Sequence, residues 1–208
     1  MSGPGSETVA GNVYDKYETG NPVARRLVAG FERSMDELLD RAGPVRSVLE
    51  VGCGEGHVTA RLARRYPGAR VLGSDLSPRI VETARRLHPG LSFEVRSIYD
   101  VAAAGERFDL VVACEVFEHL DDPDTALQAL VRVARAHVFA SVPREPLWRA
   151  LNLARGHYVR QLGNTPGHVQ HWSGRAFPRF LARRLRIVDV RHPLPWTQVL
   201  GRVPDAAS

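Results

Sequence analysis

Short apolar runs rich in Val, Ile and Leu alternate along this chain with segments in which apolar residues recur every three or four positions. The first pattern is typical of buried strands and the second of amphipathic helices. Their alternation predicts an α/β fold with a mostly parallel sheet and right-handed crossovers. The predicted strands are residues 46–51, 69–74, 92–96, 108–113, 138–142, 185–190 and 196–202.

Capping residues set the helix boundaries. Asn21 followed by Pro22 predicts an N-cap and a first helical position, and the apolar periodicity continues to about Leu39. Further helices are predicted over residues 56–66, 78–87, 123–135 and 173–183. A segment rich in Pro, Gly and His, from Pro143 to about Gly167, interrupts the alternation.

Length and composition narrow the classes of protein. The 208 residues with 44% apolar content suit one globular domain. We find neither the apolar core of a signal peptide nor a run approaching the roughly 18 apolar residues of a membrane span, so we expect a cytoplasmic protein without a membrane partner. Cys53 and Cys114 form no CxxC pair, which favours neither a disulfide framework nor a cysteine zinc site.

The basic charge comes almost entirely from arginine. The formal net charge is +5 and the isoelectric point about 9.7, while Lys16 is the only lysine. The arginines are spread over many predicted helices, which favours an arginine-rich surface over a nucleic-acid partner. An anionic small molecule stays compatible with this charge, and the sequence predicts no particular oligomeric state.

The turn after the first predicted strand contains three closely spaced glycines. Its sequence, Glu50-Val51-Gly52-Cys53-Gly54-Glu55-Gly56, lets the backbone turn tightly at the carboxyl edge of a sheet and approach a ligand there. The third glycine comes one residue too early for a dinucleotide motif, and no Gly-Lys-Ser/Thr follows as in a P-loop. Asp75 ends the second predicted strand, where a carboxylate can accept both hydroxyls of a ribose. Turn and acid together predict a nucleoside ligand.

Four segments in this order resemble the class I S-adenosylmethionine-dependent methyltransferases: VLEVGCGEGHVTARLA, VLGSDLSPRIVETAR, FEVRSIYD and FDLVVACEVFEHLDDPDTAL. The resemblance covers roughly Val45 to Val142. It implies a Rossmann-like, doubly wound, seven-stranded sheet with helices on both faces and an antiparallel last strand. It also implies an enzyme that uses S-adenosylmethionine to methylate a small-molecule acceptor, most often at a hydroxyl oxygen.

The same resemblance assigns cofactor-binding residues. In such families the loop glycines face the methionine part of the cofactor, the acid after strand two holds the ribose, and the residues after strand three contact adenine. A tyrosine-containing N-terminal segment often closes over the cofactor as a lid; here such a segment includes Tyr14, and a tail packed on the sheet is the alternative. The expected cofactor-binding residues are Tyr14, Glu50, Gly52, Cys53, Gly54, Asp75, Leu76, Ser97, Ile98 and Cys114.

Candidate catalytic residues follow the fourth predicted strand. Glu115, Glu118 and His119 would share one face if this segment were helical. One hypothesis is that the carboxylates bind loop backbone while His119 packs beside the cofactor. The other is that the three bind Mg²⁺, Mn²⁺ or another divalent cation. A fourth ligand would then be His168, since its H-x-x-x-W-S pattern resembles the metal-dependent small-RNA 2′-O-methyltransferases. Without a metal, His119, His168 or His171 could act as general base.

The resulting expectation is a single methyltransferase domain. It comprises an N-terminal lid and helix (1–40), a cofactor-binding core (45–142), an acceptor-pocket insertion (143–170), and a closing helix and strands (171–208). The predicted function is methyl transfer from S-adenosylmethionine to a small-molecule hydroxyl, with or without a metal. Two alternatives are a metal-dependent RNA 2′-O-methyltransferase and a noncatalytic S-adenosylmethionine-binding partner subunit.

Overall fold

The computed structural model describes residues 21–154 and 169–204. These residues form a seven-stranded sheet with the strand order β3-β2-β1-β4-β5-β7-β6. The strands are β1 (Ser47–Val51), β2 (Arg70–Asp75), β3 (Ser92–Val95), β4 (Phe108–Cys114), β5 (Ala134–Pro143), β6 (Arg186–Arg191) and β7 (Trp196–Arg202). Strands β1 to β5 pair in parallel, whereas β7 is antiparallel to both β5 and β6. The predicted Rossmann-like sheet with an antiparallel last strand is confirmed.

Register brings several strand ends to one edge of the sheet. Val51 at the end of β1 pairs with Ser74 of β2 and with Ala113 of β4, and Cys114 pairs with Ser141 of β5. The segments that leave these parallel strands therefore emerge side by side. Ligands of open α/β sheets bind at this edge.

Side chains that alternate along the strands contribute to two apolar cores, one on each face of the sheet. Val48 packs on one face with helices α1 and α2, whereas Leu49 and Val51 pack on the other with α4 and α6. The helices are α1 (Pro22–Leu39), α2 (His57–Arg65), α3 (Pro78–Leu87), α4 (Pro123–Val133), α5 (Leu147–Ala154) and α6 (Ala176–Leu181). Burial on both faces explains why the central strands are continuous apolar runs and do not alternate with polar residues.

Capping explains where the predicted helices begin. The side chain of Asn21 accepts a hydrogen bond from the Val23 amide, that of Ser77 from the Ile80 amide, and that of Asp122 from the Thr125 amide. Each cap is followed by proline at the first helical position.

Two of the predicted helices are too long. The fourth helix ends at Val133, two residues earlier than predicted, because the chain enters β5 directly at Ala134 and pairs with β4. The helix predicted over 173–183 is shorter and spans only Ala176–Leu181. Across the described ranges, none of the helices is both long and apolar enough to span a bilayer.

Candidate active site

The glycine turn after β1 adopts a left-handed backbone that the glycines make accessible. Gly52 and Gly54 have φ values of 69° and 54°, a region that residues with a Cβ seldom occupy. A Cβ on Gly52 would lie 2.5 Å from Cγ2 of Val116, so this glycine allows the loop after β4 to approach. A Cβ on Gly54 would meet nothing within 4 Å, because Gly54 faces an open cleft.

Asp75 ties the glycine turn to the end of β2. Its Oδ2 accepts a hydrogen bond from the Gly54 amide at 3.0 Å, and its Oδ1 accepts one from the Ser77 amide at 3.0 Å. The Cys53 amide adds a bond to the carbonyl of Ser74 at 2.9 Å. Asp75 therefore fixes the turn while its carboxylate, which has further acceptor sites, lines the same cleft as Gly54.

The cleft runs along the carboxyl edge of the sheet, across the ends of β1, β2 and β4. Most of the residues expected to bind the cofactor line it: Glu50, Gly52, Cys53, Gly54, Asp75, Leu76, Ser97, Ile98 and Cys114. Glu115 and His119 line it too. Tyr14 lies outside the described residues. The structure thus brings the described candidates from four chain segments together, and their roles stay predictions.

The segment after β4 is not the regular helix that would place Glu115, Glu118 and His119 on one face. Glu115 has a left-handed backbone with φ of 55°, and a 3₁₀ turn then covers only Phe117–His119. Glu115 and Glu118 consequently do not share a helical face. Glu118 is buried, at 2% exposure, and its carbonyl accepts hydrogen bonds from the Val169 and Gln170 amides. His119 is exposed at the cleft.

His171 and His168 are the remaining candidate ligands and bases. His171 is not among the described residues that line the cleft; its Nδ1 lies 3.9 Å from Oε1 of Glu145. His168 falls outside the described residues. In the described part of the chain, no group of three or more His, Cys, Asp and Glu side chains is arranged to hold a metal ion. The described residues alone therefore do not support the predicted metal site.

Comparison with known proteins decides the family. Residues 48–137 match the model of a methyltransferase domain. The ubiquinone biosynthesis O-methyltransferase of Hahella chejuensis is 33% identical over 165 residues, which cover 75% of this chain and 68% of that protein. The enzyme of the same name from a Methylobacterium species is 31% identical over 206 residues, covering 79% and 81%.

The chain belongs to the class I S-adenosylmethionine-dependent methyltransferases. The alignment with the ubiquinone biosynthesis O-methyltransferase of Cereibacter sphaeroides, 33% identical over 159 residues, covers 73% of this methyltransferase but only 62% of that protein. This chain therefore spans less than two thirds of that relative.

Solved structures agree with this fold. Magnesium protoporphyrin IX methyltransferase from Synechocystis, with bound S-adenosylhomocysteine, superimposes with a TM-score of 0.67 at 19% identity over 91% of each chain. The N-methyltransferase NodS from Bradyrhizobium japonicum, also with S-adenosylhomocysteine, gives a TM-score of 0.61 at 22% identity over 93% of this chain and 94% of its own. These two proteins share the fold of this methyltransferase, while one name specifies magnesium protoporphyrin IX and the other specifies methylation at nitrogen.

A buried carboxyl lies at the base of the methyltransferase cleft. Glu50 is 1% exposed, and the hydroxyl of Thr59 donates a hydrogen bond to its Oε2. Burial raises the pKa of Glu50 to about 8, with the nearby Asp75 adding to the rise and the Thr59 hydrogen bond opposing it. A pKa of about 8 favours the neutral acid form of Glu50 at pH 7.

Both cysteines of the cleft are kept as thiols. Burial raises the pKa of Cys53 and that of Cys114, with Glu50 adding to the rise in each case. Because the thiolate is the nucleophilic form, neither cysteine is suited to attack a substrate. Both cysteines line the wall of the cleft.

Sequence reasoning missed the end of the cleft formed by α1 and β7. Phe31 and Trp196 line it, and their ring centroids lie 5.1 Å apart in an edge-on arrangement. The indole N–H of Trp196 donates a hydrogen bond to the carboxylate of Glu115. The apolar face of α1 was visible as a helical period. Its meeting with a residue of the last strand could not be derived without the strand order.

Proposed function

We propose that this methyltransferase transfers the methyl group of S-adenosylmethionine to a hydroxyl oxygen of a small-molecule acceptor. The observation that carries the proposal is the joint exposure of the Gly54 backbone and the Asp75 carboxylate to one cleft at the carboxyl edge of the sheet. The relatives named as ubiquinone biosynthesis O-methyltransferases support oxygen as the accepting atom.

The residues of the cleft fit the cofactor part by part. The open space at Gly54 would accept the methionine portion close to the backbone, because no side chain fills it. Asp75 would accept the ribose hydroxyls. Ser97 and Ile98, which follow β3, would flank the adenine beside Leu76. Glu50 lies at the base of the cleft, next to the turn. The positive sulfur of a bound S-adenosylmethionine nearby would favour the ionised form of its carboxyl group.

S-adenosylmethionine, when bound, supplies a methyl group already activated by its positive sulfur. The protein therefore has to orient the acceptor oxygen, exclude water and remove the hydroxyl proton. His119 is our candidate for the proton acceptor, since it lines the cleft together with Glu115 and is exposed there. A neutral imidazole is suited to this task near pH 7.

The test is turnover of methyl-labelled S-adenosylmethionine against a panel of hydroxylated small molecules. We expect label in the product with at least one acceptor, and loss of cofactor binding by calorimetry in Asp75→Ala. Circular dichroism of the variant shows whether its fold is retained. Unchanged affinity in a folded Asp75→Ala protein would overturn the ribose assignment. Tight binding without turnover of any acceptor would instead favour the noncatalytic alternative.

Metal assistance is a finer part of the proposal. Glu118 and His119 are adjacent in sequence, and the backbone of Glu118 holds Val169, the residue that follows His168. The predicted ligand set is Glu115, Glu118, His119 and His168, and this connection supports testing Glu118 and His119 together with His168. Chelation with EDTA should then lower the rate, and Mg²⁺ or Mn²⁺ should restore it. If EDTA leaves the rate unchanged, and if His168→Ala responds to Mg²⁺ or Mn²⁺ as the wild type does, only the metal-free mechanism remains.

A further inference from the structure

Glu115 holds a backbone conformation that its residue type disfavours. Within the described residues it is the only non-glycine residue with a positive φ, at 55°. Such conformations persist where surrounding contacts impose them, and they concentrate at functional sites. Glu115 is half-buried, and it lines the cleft directly after β4. Its contacts therefore show what fixes the carboxylate at this position.

Within the described residues, Glu115 makes one backbone contact to β5 and one side-chain contact to β7. Its amide donates a hydrogen bond to the carbonyl of Ser141 in β5 at 2.9 Å, which fixes the backbone. Its carboxylate accepts the indole N–H of Trp196 from β7, which fixes the side chain. A hydrogen bond to a charged acceptor is among the stronger ones in proteins.

Trp196 is itself immobilised by its neighbours. It is only 4% exposed, and it stands opposite Pro143 where β7 pairs with β5. Its ring packs edge-on against Phe31 of α1, and the centroid of Trp148 in α5 lies 6.1 Å away. A donor held by three elements of the fold is suited to holding a charged side chain in one orientation.

Glu115 and Trp196, the hydrogen-bonded couple, lie away from the residue assigned to the cofactor ribose. Asp75 ends β2, which is separated from β4 by β1, so two strand spacings of about 5 Å lie between the ends of these strands. Trp196 begins β7, two further strands beyond β4. Glu115 and Trp196 therefore lie toward the end of the cleft farther from Asp75.

We propose that Trp196 is a positioning residue for methyl acceptance: its indole N–H holds the Glu115 carboxylate where that carboxylate accepts a hydrogen bond from an acceptor hydroxyl next to the one that is methylated. The inference rests on the proposed function. One carboxylate offers about four acceptor sites, so a bond from Trp196 is compatible with a second from the acceptor. The acceptor class is then a molecule with two neighbouring hydroxyls, one that accepts the methyl group and one that donates a hydrogen bond to the Glu115 carboxylate beside the aromatic rings of Phe31 and Trp196.

Trp196→Phe tests the inference, because it removes the N–H donor and keeps an aromatic ring against Phe31. We expect the acceptor kcat/KM to fall by about tenfold, the order of effect of losing a hydrogen bond to a charged group, while the calorimetric Kd for S-adenosylmethionine stays within twofold. The Glu115→Gln variant should lose a similar factor. Combining the two changes should cost little more than Glu115→Gln alone, since both remove one interaction.

The matched control is Trp172→Phe. It makes the same chemical change in a ring that packs on Phe180 (centroids 4.9 Å apart) and is not among the described residues lining the cleft. Trp172→Phe should keep the wild-type acceptor KM and kcat. Equal acceptor kinetics in Trp196→Phe and Trp172→Phe, with a functioning wild type, would overturn the inference while leaving the proposed function intact.

A measurement independent of turnover distinguishes failure of this inference from failure of the proposed function. In ¹⁵N NMR spectra, the indole N–H signal that Trp196→Phe removes identifies Trp196. That signal should shift upfield in Glu115→Gln, because the amide is a weaker acceptor than the carboxylate. No turnover with any acceptor would sink the proposed function and, with it, the role of the couple. An indole signal unaffected by Glu115→Gln would sink the inference alone.

Discussion

Glu50 is a residue whose protonation should govern how stability varies with pH. Its pKa is raised by burial from 4.5 to about 8, so the folded state binds a proton that the unfolded state releases between these values. Stability should therefore be highest below about pH 4.5 with respect to this group, and fall through the interval by at most about 1.4 kcal/mol per pH unit. Urea unfolding at a series of pH values measures this slope.

Glu50→Gln is the comparison for that slope. The amide keeps the shape of the protonated acid and does not titrate, so the difference in unfolding free energy between the variant and the wild type should grow in the variant's favour as the pH rises toward 8. The other titrating groups are shared and cancel. Parallel pH profiles of the two proteins would show that Glu50 ionises normally.

Gly54 is predicted to be required for cofactor binding and not only for the turn. Gly54→Ala places a methyl group in the cleft, where it would crowd a closely fitting ligand. A steric cost of about 1.4 kcal/mol in the binding free energy lowers the affinity by about tenfold. Calorimetry with S-adenosylmethionine measures the loss.

Gly68→Ala is the matched control for Gly54→Ala. Gly68 also has a left-handed backbone, with φ of 87°, and open space around its added Cβ, but it lies between α2 and β2 and is not among the described residues that line the cleft. Both variants should lose about 1–2 kcal/mol of stability from the backbone strain. A common loss of affinity in the two would mean that strain, and not occupancy of the cleft, impairs binding.

Residues near the turn were predictable from the sequence, because glycine spacing and an acid after the next strand are local signals with a fixed place in this topology. The positions of Glu115 and Trp196 were not. The spacing of Glu115, Glu118 and His119 predicts one helical face, yet the chain leaves β4 through a left-handed residue. The partner that holds Glu115 is 81 residues away in the sequence. Such a contact follows from the strand order, which local periodicity does not contain.

At the scale of elements, strand extension explains the largest boundary error. The apolar run predicts only residues 138–142 for the fifth strand, whereas β5 begins at Ala134. The added residues include Arg135, which is exposed, and His137, which pairs with Leu110 of β4 and with Arg202 of β7. Neighbouring strands thus continue the ladder through polar residues, and hydropathy alone gives no signal for this.

Helix α1 should depend on its apolar face for docking to the sheet. Met35 is fully buried in the core that α1 shares with β1 and β7, so Met35→Ala should destabilise the fold by roughly 2–5 kcal/mol through lost burial and a cavity. Arg33→Ala, two residues earlier on the exposed side of α1, is the control and should change stability by less than about 0.5 kcal/mol. Equal midpoints in urea for the two variants would contradict this packing of α1.

At the scale of the whole molecule, cofactor binding should stabilise the entire fold. The proposed ligand contacts follow β1, β2, β3 and β4, so the bound state exists only when these strands are assembled. At a ligand concentration 100 times the Kd, linkage adds about 2.7 kcal/mol to the unfolding free energy. For a chain of this size, that corresponds to a rise in melting temperature of roughly 5–10 °C.

Differential scanning calorimetry with S-adenosylhomocysteine measures this rise without any acceptor. The melting temperature should increase with the logarithm of ligand concentration once the ligand exceeds its Kd, because mass action acts only on the folded state. The Gly68→Ala variant should show the same increase from a lower starting value. Gly54→Ala should need about tenfold more ligand for it. A wild-type melting temperature that does not respond to the ligand would contradict cofactor binding across these strand ends.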